Sequence, residues 1–168
     1  MVGDHACVSE WFDRFGFAAV ADDLVAGAYP LDEVDVRRLA AGGVKVAYNL
    51  CEDIEYEPGV RETVAAALAA AGIEERRLAL ADYGGLSREA LDQAASEIVD
   101  ELAGGRRVYL HCRAGWQRSA TVAAAVIALR EGVSPEEALQ ALRERKPSSA
   151  PLPHQREDLF AWWSARQA

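Results

Sequence analysis

Between an apolar run, Val108-Tyr109-Leu110, and a long Ala/Val/Ile segment starting at Ala120, the chain carries His111-Cys112-Arg113-Ala114-Gly115-Trp116-Gln117-Arg118-Ser119. The flanks predict a strand that turns through a short loop into a helix. Five residues lie between Cys112 and Arg118, enough to curl the backbone so that its N–H groups face inward. Such a nest at a helix N-terminus attracts anions. The same field favours thiolate over thiol, so Cys112 is expected to be ionised near neutral pH and nucleophilic. Arg118 adds a planar fork able to hold two phosphate oxygens, and Arg113, Ala114, Gly115, Trp116 and Gln117 complete the expected binding loop with His111. A nucleophile on the floor of a phosphate cradle implies phosphoryl transfer to cysteine.

The rest of the chain alternates short β-rich runs with helical periods, which predicts an α/β fold with a mainly parallel sheet of about five strands flanked by helices. Strands are expected over Leu24–Tyr29, Val44–Leu50, Ile73–Leu80 and Arg106–Leu110. Helices are expected over Asp32–Ala41, Gly59–Ala71, Ser87–Ala103 and Ser119–Glu131, with Ser87 as an N-cap. Ser134-Pro135-Glu136-Glu137 is a capping box that opens a helix to about Lys146. A last helix, His154–Ala168, presents Leu159, Phe160, Trp162 and Trp163 for packing. With no repeat and no linker, residues 1–168 are expected to form one domain, its core spanning about 11–163.

Bulk composition narrows the setting. Three cysteines (Cys7, Cys51, Cys112) are too few and odd for a secreted disulfide scaffold, and the N-terminus lacks a signal-peptide pattern. A cytoplasmic location is therefore expected. The longest apolar stretch, Ala120–Leu129, is half the length a membrane span needs. A net charge of −9 argues against nucleic acid as a partner.

The loop matches every fixed position of the signature His-Cys-x-x-Gly-x-x-Arg-Ser/Thr, and so resembles that of the cysteine-dependent phosphatases. The order of elements is similar to the compact dual-specificity branch, from about Trp11 to Trp163, and Leu24-Val25-Ala26-Gly27-Ala28-Tyr29-Pro30 resembles the first strand of those enzymes. Trp11 with Arg14, the segment Glu52-Asp53-Ile54-Glu55-Tyr56-Glu57, and Arg113 directly after the cysteine also resemble the mitochondrial-type phosphatases of phosphatidylglycerophosphate. The resemblance implies a phosphocysteine intermediate and no cofactor. Phosphotyrosine and related protein phosphates are the leading substrates, with a lipid or small-metabolite phosphate as the alternative and a non-catalytic phosphate-binding module as a third reading.

A leaving alkoxide or phenoxide needs a proton, and Asp82 is the expected donor. It follows Ile73–Leu80 in a turn beside Gly84-Gly85, a placement similar to the family's mobile aspartate loop. Asp53 and Glu55 are the rival acids. Ser119 is expected to donate to the Cys112 sulfur, to act as an N-cap, or both; His111 is expected to hold the loop by hydrogen bonds, and Gly115 to permit its turn. His5 and His154 have no partners at metal spacing, so no metal site is expected. Cys51 ends a strand expected beside that of Cys112, close enough for a disulfide. The family resemblance makes it a possible redox partner of Cys112, and a small buried hydrophobe is the other reading.

Overall fold

The computed structural model describes residues 7–168; His5 therefore lies outside the described residues. The chain runs α1 (Glu10–Phe15), β1 (Phe17–Ala19), β2 (Leu24–Gly27), α2 (Glu33–Ala41), β3 (Val46–Asn49), α3 (Val60–Ala70), β4 (Glu74–Arg77), α4 (Arg88–Ala103), β5 (Val108–His111), α5 (Arg118–Glu131), α6 (Pro135–Arg145) and α7 (Pro153–Gln167). The sheet order is β1-β2-β5-β3-β4. Every pairing is parallel except that of β1 with β2, so the mainly parallel α/β sheet expected from the sequence is the observed one.

Successive strand residues face opposite layers. Leu24, Ala26, Val46, Tyr48, Val108 and Leu110 join the core beneath α4–α7, while Val25, Ala47 and Tyr109 join the core beneath α1–α3. A sheet covered on both faces leaves its inner strands no polar side, and all residues of β2, β3 and β5 are buried. The edge strand β4 instead reads Glu-Glu-Arg-Arg, and such charges blunt an edge against further pairing. Helix α5 is buried along Arg118–Ala128; its alanines let it lie close to the sheet with α4 and α6 against it.

The start of the chain departs from the sequence reading. Leu24 opens the second strand, because α1 and the antiparallel β1 precede it, with Phe17 paired to Gly27. The strand predicted over Ile73–Leu80 is regular only to Arg77, although Leu78 and Leu80 still donate to the carbonyls of Asn49 and Leu50, both at 3.0 Å. The expected caps at Ser87 and Ser134 are present. Ser119 is not an N-cap: α5 starts at Arg118, with Gln117 at the N-cap position and no side-chain cap, and Ser119 lies inside the first turn, fully buried. Among the described residues no helix is long and apolar enough to cross a membrane.

Candidate active site

Strand β5 lies at the centre of the sheet and delivers His111 and Cys112 at its C-terminal end, where α5 begins six residues later at Arg118. Loop carbonyls are pinned from outside. That of Cys112 lies 3.3 Å from His111 Nδ1; that of Arg113 accepts from the Tyr29 amide at 3.0 Å and from Trp11 Nε1 at 3.3 Å; that of Trp116 accepts from the Ala150 amide at 2.7 Å. A planar trans peptide sets each C=O antiparallel to the next N–H. Carbonyls held outward thus aim the amides of Arg113, Ala114 and Gln117 inward, which builds the expected nest. Gly115 sits at φ +76°, and a Cβ there would come within 2.4 Å of the Gly27 carbonyl carbon. Loop and β2 touch backbone to backbone at a point only glycine fits.

Cys112 Sγ lies 3.3 Å from Ser119 Oγ, and both residues are buried. Arg118 is 1% exposed, and its donors are largely engaged. Nη2 meets Glu55 Oε1 at 2.6 Å and Asp82 Oδ1 at 2.9 Å; Nη1 donates to Glu55 Oε2 and to the Leu80 carbonyl, both at 2.8 Å. Nε is buried and without a partner. Burial opposes the guanidinium charge, but the Glu55 hydrogen bonds and nearby Cys112 outweigh it and raise the Arg118 pKa above the ordinary range. Glu55 is placed by the 3-10 turn Asp53–Glu55 after β3, where its side chain also accepts from the Glu52 amide at 2.7 Å. Of the two rival acids, then, Glu55 is committed to Arg118, and Asp53 faces outward, paired with Arg77 at 2.8 Å.

Asp82, Cys112, Arg118 and residues 113, 114, 116 and 117 line one cleft of about 250 Å³. Its apolar wall is Trp11 and Phe15 from α1, with Trp116 packed on Phe15 at 5.2 Å between ring centroids. The Arg113 guanidinium lies over the Trp11 ring at 5.6 Å, a cation–π contact. The turn carrying Asp82 is tethered to α7: His154 Nε2 lies 3.0 Å from the Tyr83 carbonyl, Gln155 donates to that of Gly84 at 2.9 Å, and Asp158 accepts from the Leu86 amide at 2.8 Å.

His111 is fully buried, and burial pushes its pKa down to about 3, leaving the ring neutral. The Cys112 carbonyl places its proton on Nδ1, and Nε2 has no partner. Cys51 is buried beside Tyr29 and Tyr56 at the end of β3, whose Asn49 is in register with His111. Burial raises the Cys51 pKa, with nearby Glu55 and Cys112 adding to it. Cys7, Cys51 and Cys112 are free thiols. Among the described residues no cluster of His, Cys, Asp or Glu is arranged to hold a metal ion.

Three contributors were not legible as such: Glu55 as the partner of Arg118, Phe15 as cleft wall, and Lys146, whose Nζ donates to the Gly115 carbonyl at 2.8 Å. Only Glu55 carried a signal, as an acid near a strand end.

Residues 38–165 match the family described as dual specificity phosphatase, catalytic domain. A mouse (Mus musculus) protein named phosphatidylglycerophosphatase and protein-tyrosine phosphatase 1 is 30% identical over 151 residues, covering 89% of this chain and 75% of the relative. The crystal structure of PTPMT1 in complex with PI(5)P is 28% identical, with a TM-score of 0.76 over 89% of this chain and 97% of the other. Tk-PTP in its active form, at 24% identity, shares the fold with a TM-score of 0.77 over 88% of this chain and 96% of its own. With that family matched across the cysteine loop just described, the chain belongs to the dual specificity phosphatases and is a cysteine-dependent phosphatase.

Proposed function

We propose that Cys112, Arg118, Asp82 and Ser119 are the catalytic set of this phosphatase, with Glu55 holding Arg118 in place. The carrying observation is how Arg118 shares its donors. Glu55 and the Leu80 carbonyl occupy Nη1 and one side of Nη2, Nε is free, and Asp82 alone shares the remaining side of Nη2. A phosphate therefore docks on the Nε–Nη2 edge, two oxygens on two donors, and displaces Asp82. The tethers to α7 hold the turn, so the released carboxyl moves by side-chain rotation rather than by a swing of the loop.

The Cys112 sulfur then attacks phosphorus as the ester P–O bond breaks, and Asp82 in its acid form gives its proton to the leaving oxygen. Loop amides stabilise the charge on the phosphoryl oxygens. In the second step Asp82 takes a proton from water, the water oxygen attacks phosphorus, and the P–S bond breaks. Ser119 Oγ donates to the departing sulfur.

Aryl and alkyl phosphates of proteins, phosphotyrosine foremost, suit a cleft with one aromatic wall. A second reading, a phospholipid headgroup, is favoured by the rim. Tyr83 and Trp116, 67% and 41% exposed, line the cleft, and Ile54, 89% exposed, adjoins Glu55. Large apolar side chains facing solvent suit a substrate presented at a lipid interface. Relatives named for phosphatidylglycerophosphate and for a PI(5)P complex support the same reading. Three free thiols fit a reducing compartment.

Phosphate release from phosphotyrosyl peptides and from phosphatidylglycerophosphate in mixed micelles, compared by kcat/KM, decides between the two substrates. Cys112→Ser is expected to abolish turnover and keep tungstate binding. Turnover above a few per cent of wild type would overturn the covalent route. Arg118→Lys is expected to lose ~100-fold or more, the scale of losing one preorganised donor.

A further inference from the structure

Lys146 closes α6 and is 4% exposed. An ammonium at a helix C-terminus ordinarily faces solvent or the last carbonyls of its own helix. This one turns away from α6: Nζ donates to the Gly115 carbonyl at 2.8 Å and to Ser148 Oγ at 2.7 Å. It makes no ion pair among the described residues. A buried charge without a counter-ion is costly, so its position asks what it does there.

Two facts converge on the phosphate cradle. First, Lys146 holds the Gly115 carbonyl, and planarity of the peptide aims the Trp116 N–H the opposite way, into the nest. Four residues on, the Ala150 amide holds the Trp116 carbonyl at 2.7 Å and aims the Gln117 N–H likewise. Segment 146–150 thus orients two consecutive loop amides from behind. Second, the fork of Arg118 is paired with Glu55 and shared with Asp82, whereas Lys146, bonded to the Gly115 carbonyl of the loop, has no carboxylate to cancel its charge among the described residues. Burial lowers the Lys146 pKa, and the charge of the Cys112 sulfur works against that.

We infer that Lys146 is a positioning residue of the phosphate cradle: it aims loop amides by holding the Gly115 carbonyl and adds positive potential to the anion from behind the loop. This rests on the reading of the loop as the phosphate site given above. Because Lys146 sits behind the loop, it acts through the amides it orients, and the effect should fall on every phosphate substrate alike rather than on the choice among them.

The test measures tungstate affinity by calorimetry, and kcat and KM on p-nitrophenyl phosphate, for wild type, Lys146→Met, Lys146→Gln and Lys146→Arg, with thermal melting alongside. Removing a charge-assisted hydrogen bond is expected to weaken tungstate binding about tenfold or more in Lys146→Met. Lys146→Gln, a donor without charge, falls between Met and wild type, and Lys146→Arg, which restores the charge, recovers affinity to within about threefold of wild type. If Lys146→Met does not yield folded protein, the Gln and Arg variants carry the same comparison. Tungstate affinity within twofold of wild type in the uncharged variants, whatever their melting temperatures, overturns the inference. Absence of tungstate binding to the wild-type protein overturns the cradle reading itself, and the inference with it.

Discussion

Glu55 and Arg118 meet as a two-point ion pair beneath the cleft, at 2.6 and 2.8 Å, with side chains 5% and 1% exposed. Residues 63 positions apart in sequence are brought together because β3 and β5 are parallel neighbours, with Asn49 opposite His111. The 3-10 turn after β3 then reaches over the start of α5. The pair and the Leu80 carbonyl occupy Nη1 and one side of Nη2 and leave Nε without a partner, so on the reading proposed above Glu55 sets which edge of the fork is open to a phosphate.

Glu55→Gln is expected to destabilise the fold by about 3 kcal/mol, because a buried guanidinium loses its counter-charge. It is also expected to lower kcat/KM at least tenfold, the fork no longer being held in one orientation. Asp53→Asn, two residues away and exposed, is the control and should leave both quantities near wild type. Urea unfolding and steady-state kinetics on the two variants check this. Equal behaviour of the two would mean that the ion pair does not set the fork.

The nest was legible because its chemistry is local. Cys112, Gly115, Arg118 and Ser119 sit at fixed spacing between a strand and a helix, and the register of one loop brings them together. Glu55 was legible only as a rival acid and not as the partner of Arg118, and Lys146 not at all, because each meets its partner only through sheet order and helix packing. Phe17–Ala19 and Glu10–Phe15 escaped for another reason: three and six residues are too short to show a period. Ser119 shows a third limit. A serine before an alanine-rich helix reads as a cap, yet the Gln117 carbonyl already accepts from the Thr121 amide at 2.9 Å, so the helix begins at Arg118.

Asp82→Asn is expected to slow hydrolysis of alkyl phosphates far more than that of aryl phosphates with acidic phenols. Only a basic leaving group needs the proton. Its Oδ1 now rests on Arg118 Nη2 at 2.9 Å, so the same change should also tighten tungstate binding modestly by removing a competing carboxylate. A leaving-group series measured on both proteins tests the first part and calorimetry the second. Loss of rate that is equal across the series would assign the proton to another group.

His111 predicts an acid-sensitive fold. Burial holds its pKa at about 3, whereas an unfolded chain takes up the proton at the ordinary value of about 6.5. Between these values the unfolded state binds more protons than the native one. The stabilisation from a neutral His111 is therefore complete above about pH 6.5 and is lost as pH falls toward 3, at up to about 1.4 kcal/mol per pH unit. His111→Gln removes the titration, so its urea midpoint should vary less steeply between pH 6.5 and 4.5. Parallel slopes for the two proteins would exclude His111 as the source.

Cys51 lies at the end of β3 next to the strand that delivers Cys112, and both are free thiols. Peroxide oxidises the Cys112 sulfur to a sulfenic acid with release of water. Attack by the Cys51 thiolate then forms the S–S bond and expels hydroxide. Burial, with Glu55 and Cys112 nearby, raises the Cys51 pKa, so little attacking thiolate exists at neutral pH, and its share grows as pH rises. Closure of the disulfide is accordingly expected to be slow at pH 7 and to accelerate with each step toward alkaline pH, while reductant restores activity. Cys51→Ser should leave activity under reducing conditions unchanged and turn reversible loss into irreversible sulfinic acid on Cys112. Peptide mapping after a timed peroxide pulse at pH 7 and pH 9 decides the matter. A Cys51–Cys112 cross-link that forms faster at pH 9 supports the pairing. Sulfinic acid on Cys112 with Cys51 untouched at both pH values leaves Cys51 as a packing residue beside Tyr29 and Tyr56.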